Sequence, residues 1–151
     1  MQKHGKLGNI QYLICGQGTK IDELKELAKK LDIASHVHFL GYRRDISDIC
    51  NASDVFMFMS LQEGLPVALM EAMACGLPAV CTSIRGNTDL IENGVTGFLA
   101  DNTPGATADA IQKMKSDSSL RDTHAVHALE RIGRFDLTKI LPVMWKIYLE
   151  N

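Results

Sequence analysis

Glu63 and Glu71 bracket the start of what reads as a helix, in the run Ser60-Leu-Gln-Glu-Gly-Leu-Pro66 followed by Val67-Ala-Leu-Met-Glu71. Pro66 suits the first helical position, where its missing N–H costs nothing, and Gly76 stands just past the far end. Leu65 and Val67 then offer backbone N–H groups at the positive end of the helix dipole, a ready site for an anion. A carboxylate on either side accepts hydrogen bonds from hydroxyls, the groups that sugars and riboses present. The local chemistry is that of a phosphorylated, hydroxyl-rich ligand.

Three more loops carry unusual residues: Gly16-Gln-Gly18, Gly41-Tyr-Arg-Arg44 and Thr82-Ser-Ile-Arg-Gly-Asn87. Each follows an apolar run that reads as a strand, and ligands of open parallel sheets sit beyond the carboxyl ends of the strands. A single such loop is explained equally well by glycines that end strands and charges that face water. Glycine, hydroxyl, carboxylate and guanidinium supplied to one rim by four loops make the stronger case.

The elements that must hold these loops alternate along the chain. Strands are expected over 9–15, 36–40, 54–59, 77–81 and 97–100. Helices are expected over 21–31, 45–50, 66–75, 106–115, 118–131 and 137–150, with a helical turn at 89–92. Asp45 is placed to cap the second of these. The run 54–59 is apolar throughout and should bury both faces. Ala68, Ala72 and Ala74 should let the helix at 66–75 lie close to the sheet. Strands separated by helices imply parallel pairing through right-handed crossovers. The fold class is therefore α/β, a three-layer, Rossmann-like parallel sheet, and 151 residues suit one domain with a single core.

Composition excludes several classes. A net charge of −2 gives no reason to expect nucleic acid as a partner. The apolar run Val55 to Met59 is far too short to span a bilayer, and Met1 to Gly8 has no apolar segment after a basic one, so no secretory signal is read there. Cys15, Cys50, Cys75 and Cys81 lack Cys-x-x-Cys spacing. Three of them lie in apolar surroundings, which points to buried free thiols and a reducing, cytosolic compartment. Met57, Met59, Met70 and Met73 read as core filler.

Glu63-Gly-Leu-Pro-Val-Ala-Leu-Met-Glu71, continued by Ala72-Met-Ala-Cys-Gly-Leu-Pro78, resembles the Glu-x7-Glu block of family 4 retaining glycosyltransferases of the GT-B fold (glycosyl transferases group 1). Phe39 to Asp45, Ala52 to Phe56 and Asn93 to Leu99 resemble further blocks of that family, in its order, so the likeness runs from Asn9 to the end. It implies a nucleotide-diphospho-sugar as donor substrate and no further cofactor or metal. Glu63 would act at the reacting centre and hold hydroxyls of the donor sugar. Gly64, Leu65, Pro66 and Val67 would line sugar and diphosphate, mainly through backbone. Glu71 would take the ribose, Tyr42 and Arg43 would flank the base, and Gly16 and Gly18 would let the backbone approach the nucleotide. Positive charge and helix dipoles would stabilise the leaving diphosphate.

The family's donor domain begins with a further strand, an Arg/Lys pair and a helix, none of which this sequence matches. Arg43, Arg44 and Arg85 do not correspond to that pair. The family's acceptor-binding N-terminal domain is likewise unmatched. The whole chain is accordingly expected to be a partial donor domain, inactive alone, whose partners are a nucleotide sugar and an acceptor domain. Membrane association would come through that other half. Loss of a central strand would leave two strand edges open to self-association. The family's usual role implies polysaccharide or lipopolysaccharide assembly in the cytoplasm, at the inner membrane face. Leu137, Leu141, Met144, Trp145 and Tyr148 form an apolar stripe, expected to cover the domain's own core; in the family the last helix often packs across the domain boundary.

Rival readings are weaker. Gly16-Gln-Gly18 could open a dinucleotide fingerprint, but Ile21 stands where the third glycine belongs and Gly41 where the ribose-binding acid belongs. His36 and His38 share a strand face, yet no third ligand is near, so capping or solvent-facing roles are expected. A donor-binding module without chemistry stays open. A sugar-nucleotide 2-epimerase of the same architecture fits the Glu-x7-Glu block less well.

Overall fold

The computed structural model of the protein describes residues 8–149. The chain forms two compact units, the first ending at Ile46 and the second beginning at Ser47.

In the first unit β1 (Tyr12–Cys15) leads through α1 (Ile21–Lys30) and a 3-10 turn (Ala34–His36) to β2 (Val37–Gly41). The strands pair in parallel, Tyr12 opposite Val37 and Ile14 opposite Phe39, with a register shift before Cys15 meets Gly41. Parallel strands need a crossover, and α1 supplies it. Asp22 and Glu23 lie in its first turn and Lys29 and Lys30 in its last, each sign matched to the helix dipole. His36 and His38 are structural: the His36 ring lies 2.8 Å from the Ile10 carbonyl and His38 Nε2 lies 2.7 Å from Gln11 Oε1.

The second unit holds α2 (Ile46–Asn51, its first residue closing the first unit), β3 (Phe56–Phe58), α3 (Val67–Ala74), β4 (Ala79–Thr82), α4 (Asn87–Leu90) and β5 (Gly97–Ala100). Then come α5 (Pro104–Ser116), α6 (Ser118–Ile132), a 3-10 turn (Gly133–Phe135) and α7 (Leu137–Leu149). The sheet is parallel in the order β3-β4-β5. Alternation along β4 divides the core. Ala79 and Cys81 pack with Leu69, Met73, Leu90, Ile91 and Ala128 on one face. Val80 packs with Ala100, Ala110 and Met114 on the other. Three layers result in this unit, with α3 and α6 on one side of the sheet and α5 on the other. Gly97 permits the close pairing of β5 with β4, since a Cβ there would press against the Ala79 carbonyl oxygen.

The α/β class and the parallel pairing are as the sequence implies, while several local expectations change. The strands are shared between a two-stranded and a three-stranded sheet. The fully buried strand is β4, whereas Phe56–Phe58 is an edge strand and only half-buried. Pro66 caps α3 in extended backbone (φ −75°, ψ 110°) rather than forming its first turn. Ala72 faces the core, but Ala68 and Ala74 are exposed. Cys50 and Cys81 are buried, Cys75 is half-buried and Cys15 is exposed. Burial pushes the Cys81 thiol up to about 12 by disfavouring the thiolate. Finally, α7 buries no residue, and neither core cluster includes any part of it. Its stripe therefore does not cover this core, which α3, α5 and α6 already close. Among the described residues no helix is long and apolar enough to cross a membrane.

Candidate functional site

The loop after β3 delivers Glu63 to the N-terminus of α3. No side chain caps that end, and the first N–H with a backbone acceptor is Met70, which donates to Pro66 O at 3.1 Å. The N–H groups of Val67, Ala68 and Leu69 precede any acceptor the helix can supply; Val67 and Ala68 are exposed and open to a ligand, whereas Leu69 is fully buried. Leu65 and Val67 are 47% and 65% exposed, which opens this end to solvent. Glu63 is half-buried and Glu71 is exposed. Glu71 lies one turn into the helix, roughly 6 Å along its axis. Neither carboxylate is engaged by another described residue.

The turn from β4 to α4 backs this loop. Thr82 Oγ1 donates to the Ser60 carbonyl at 2.6 Å, and Asn87 Nδ2 donates to the Thr82 carbonyl at 3.0 Å. Gly86 takes φ +86°, and a Cβ there would meet the Gly64 carbonyl oxygen at 2.5 Å and Glu63 Cβ at 3.1 Å. The sequence marked this segment as a rim loop, yet Thr82 and Asn87 drew no attention. A threonine at a strand end and an asparagine at a helix start are ordinary there, and only the fold brings them under Ser60.

In the first unit the carboxyl ends of β1 and β2 are drawn together by Gly16 N–H donating to Gly41 O at 2.7 Å. Gly16 and Gly41 take φ +130° and +67°, values that favour glycine. This brings the Gly16 turn beside Tyr42 and Arg43. Gly18 lies in the same loop, its carbonyl 3.4 Å from Ile21 N at the start of α1. Tyr42 is 66% exposed, as a surface that stacks on a base must be. Arg43 is turned to Asp45, with Nε donating to Oδ1 at 2.8 Å and Nη2 to Oδ2. That bidentate pair holds the Asp45 carboxyl below its ordinary range and raises Arg43. Asp45 thus spends its carboxylate on Arg43. The expected residues fall into two sets: Gly16, Gly18, Tyr42 and Arg43 in the first unit, and Glu63, Gly64, Leu65, Pro66, Val67 and Glu71 in the second.

Two surface hollows of the second unit lie elsewhere. One is lined by Gly94, Val95, His124 and His127, the other by Cys50, Cys75 and Arg121, and neither includes Glu63 or Glu71. The carboxylate site is an open rim, and its geometry weighs more than these hollows because its groups are uncommitted and suited to one ligand. Among the described residues no group of three or more His, Cys, Asp or Glu side chains is placed to hold a metal ion.

Comparison with known proteins bears on this rim. A family model described as Glycosyl transferases group 1 matches residues 2–129. An Escherichia coli protein, UDP-Gal:alpha-D-GlcNAc-diphosphoundecaprenol alpha-1,3-galactosyltransferase, is 30% identical over 92% of this chain and 36% of its own length. N-acetyl-alpha-D-glucosaminyl L-malate synthase of Bacillus anthracis is 33% identical over 94% of this chain and 38% of its own. Among solved structures, Anabaena HepE in complex with UDP superposes with a TM-score of 0.88 at 28% identity, over 95% of this chain and 42% of that one. The same protein with UDP and glucose gives 0.83 at 29%, over 93% and 41%. The chain thus spans little more than a third of the length of these two curated relatives.

Proposed function

The chain belongs to the group 1 glycosyl transferases, and from that premise we propose that it is the donor-binding part of a retaining glycosyltransferase that uses a UDP-sugar. The observation that carries this reading is the uncapped α3 N-terminus with an uncommitted carboxylate on either side. In this reading the N–H groups of Val67 and Ala68, with the positive helix end, take the diphosphate and stabilise it as it leaves. Glu63 accepts from hydroxyls of the transferred sugar and acts at the reacting centre. Gly64, Leu65 and Pro66 line that sugar. Glu71 accepts from the ribose, Tyr42 and Arg43 flank the base, and the turn of Gly16 and Gly18 lets the backbone come close to the nucleotide. UDP is the favoured carrier because the solved HepE complexes contain it and the galactosyltransferase relative is named for UDP-Gal.

The acceptor is met by a companion domain, and turnover needs both parts. The galactosyltransferase relative is named for a diphosphoundecaprenol-linked sugar, which supports assembly of a surface polysaccharide on a lipid carrier. The exposed apolar face of α7 supports packing against that companion domain. Calorimetric titration of the chain with UDP, GDP and ADP tests the donor reading. UDP is expected to bind, and Glu71→Ala to weaken it. Binding of UDP that Glu71→Ala leaves untouched would overturn the assignment.

A further inference from the structure

The turn from β4 to α4 carries polar groups that the chemistry above leaves unused. Thr82 is 1% exposed and Asn87 is fully buried. Thr82 Oγ1 has a single proton and gives it to the Ser60 carbonyl, so it must accept in its contact with Asn87 Nδ2 at 3.2 Å. Asn87 Nδ2 gives its other proton to the Thr82 carbonyl. The direction of every bond from the start of α4 to the head of the Glu63 loop is thereby fixed. Asn87 Oδ1, by contrast, is buried with no partner among the described residues. A second contact lies further along the same loop, where Gly86 rests on the Gly64 carbonyl and on Glu63 Cβ. The loop between β3 and α3 is thus held at Ser60, near its head, and at the backbone and Cβ of the Glu63-Gly64 segment by one short turn.

We propose that Thr82 and Asn87 are positioning residues for Glu63: they fix the loop so that its carboxylate is presented before the donor sugar arrives. The inference rests on the reading of Glu63 as the sugar-holding group. Neither residue touches the ligand; both act through Ser60, and Gly86 completes the hold. A loop backbone already fixed at Glu63 spares the donor the entropy of arranging that segment, and the saving applies to the sugar and not to the nucleotide.

The test uses Thr82→Val, which keeps shape and removes the hydroxyl, and Thr82→Ser, which restores it. In the ligand-free protein, backbone 15N order parameters of residues 61–65 are expected to fall to below ~0.6 in Thr82→Val and to return in Thr82→Ser. Affinity for UDP-glucose is expected to fall about tenfold in Thr82→Val, while affinity for UDP stays within about twofold. Unchanged order parameters overturn the proposal, and so does an equal loss for UDP and UDP-glucose, which marks a merely structural role. If the unmodified protein binds neither ligand, the donor reading fails. The hold on the loop is then judged by the order parameters alone, supported by a Thr82-dependent fall and overturned by none. Should Thr82→Val not fold, Asn87→Leu, which removes both donors and the orphaned acceptor, is read by the same two measurements with the same outcomes.

Discussion

At the scale of single residues, two carboxylates around one proline were enough to point to a hydroxyl-rich phosphate ligand, because Glu63 and Glu71 have a fixed spacing about a helix start. Their roles separate by truncation. Glu71→Ala is expected to cost UDP and UDP-sugar alike roughly 1.5–3 kcal/mol, the range for a hydrogen bond to a charged group. Glu63→Ala is expected to cost the UDP-sugar a similar amount and leave bare UDP nearly unchanged. Calorimetry with both ligands checks this, and equal effects of the two variants on bare UDP contradict the assignment. Other residue-scale facts were not legible. The pairing of Arg43 with Asp45 is set by side-chain direction in a turn, which has no period to read. Nothing in the spacing around His124 marks it within its helical run, yet it is 1% exposed, lies against Phe98, and has Nε2 3.1 Å from Gly94 O. Burial lowers its pKa below 6.5; the Gly94 carbonyl opposes that shift and the nearby His127 adds to it. The unfolded chain then takes up a proton first as pH falls. Stability is therefore expected to be full above 6.5, to drop as pH passes down through 6.5 toward the folded-state value, and to level off below it. Urea midpoints from pH 8 to pH 5 measure the slope, and His124→Gln is expected to flatten it.

At the scale of elements, the helices and all five expected strands follow from periodicity and punctuation, with boundaries moved by at most three residues. The burial of each strand did not follow. The apolar run Phe56-Met-Phe58 looks more central than Ala79-Val-Cys-Thr82, but pairing order places β4 between two neighbours and β3 at the edge. Pairing order is a tertiary fact, and no local pattern encodes it. The same holds for Gly97: the sequence places it at the start of a strand, as it is, but not as the point where β5 presses closest on β4. Gly97→Ala is expected to push Cβ against the Ala79 carbonyl and destabilise the second unit by about 1–3 kcal/mol, as overpacking does. A lower urea midpoint with an unchanged slope would match that cause. A midpoint like that of the unsubstituted protein would show that the strands part at little cost.

At the scale of the whole molecule, α7 departs most from what the sequence led us to expect. Its apolar stripe has the helical spacing of a core-facing surface, and a stripe alone cannot say which core it serves. The described core is closed without it: Trp145 is 61% exposed, and Leu137, Ile147, Tyr148 and Leu149 are all more than half exposed. Exposed apolar surface of that extent marks an interaction face. The chain also spans only 36% of the galactosyltransferase relative's length, which supports a companion domain as the cover. Trp145 is the single tryptophan, so its fluorescence reports this face alone. In the isolated chain its emission is expected near that of free tryptophan and open to quenching by iodide. Joined to the companion domain of a full-length relative, it is expected to shift to the blue and lose most of that quenching. A spectrum that stays red in the joined protein would mean that α7 does not bind there. The face would then need another partner, and the case for a donor half completed across this helix would lose its support.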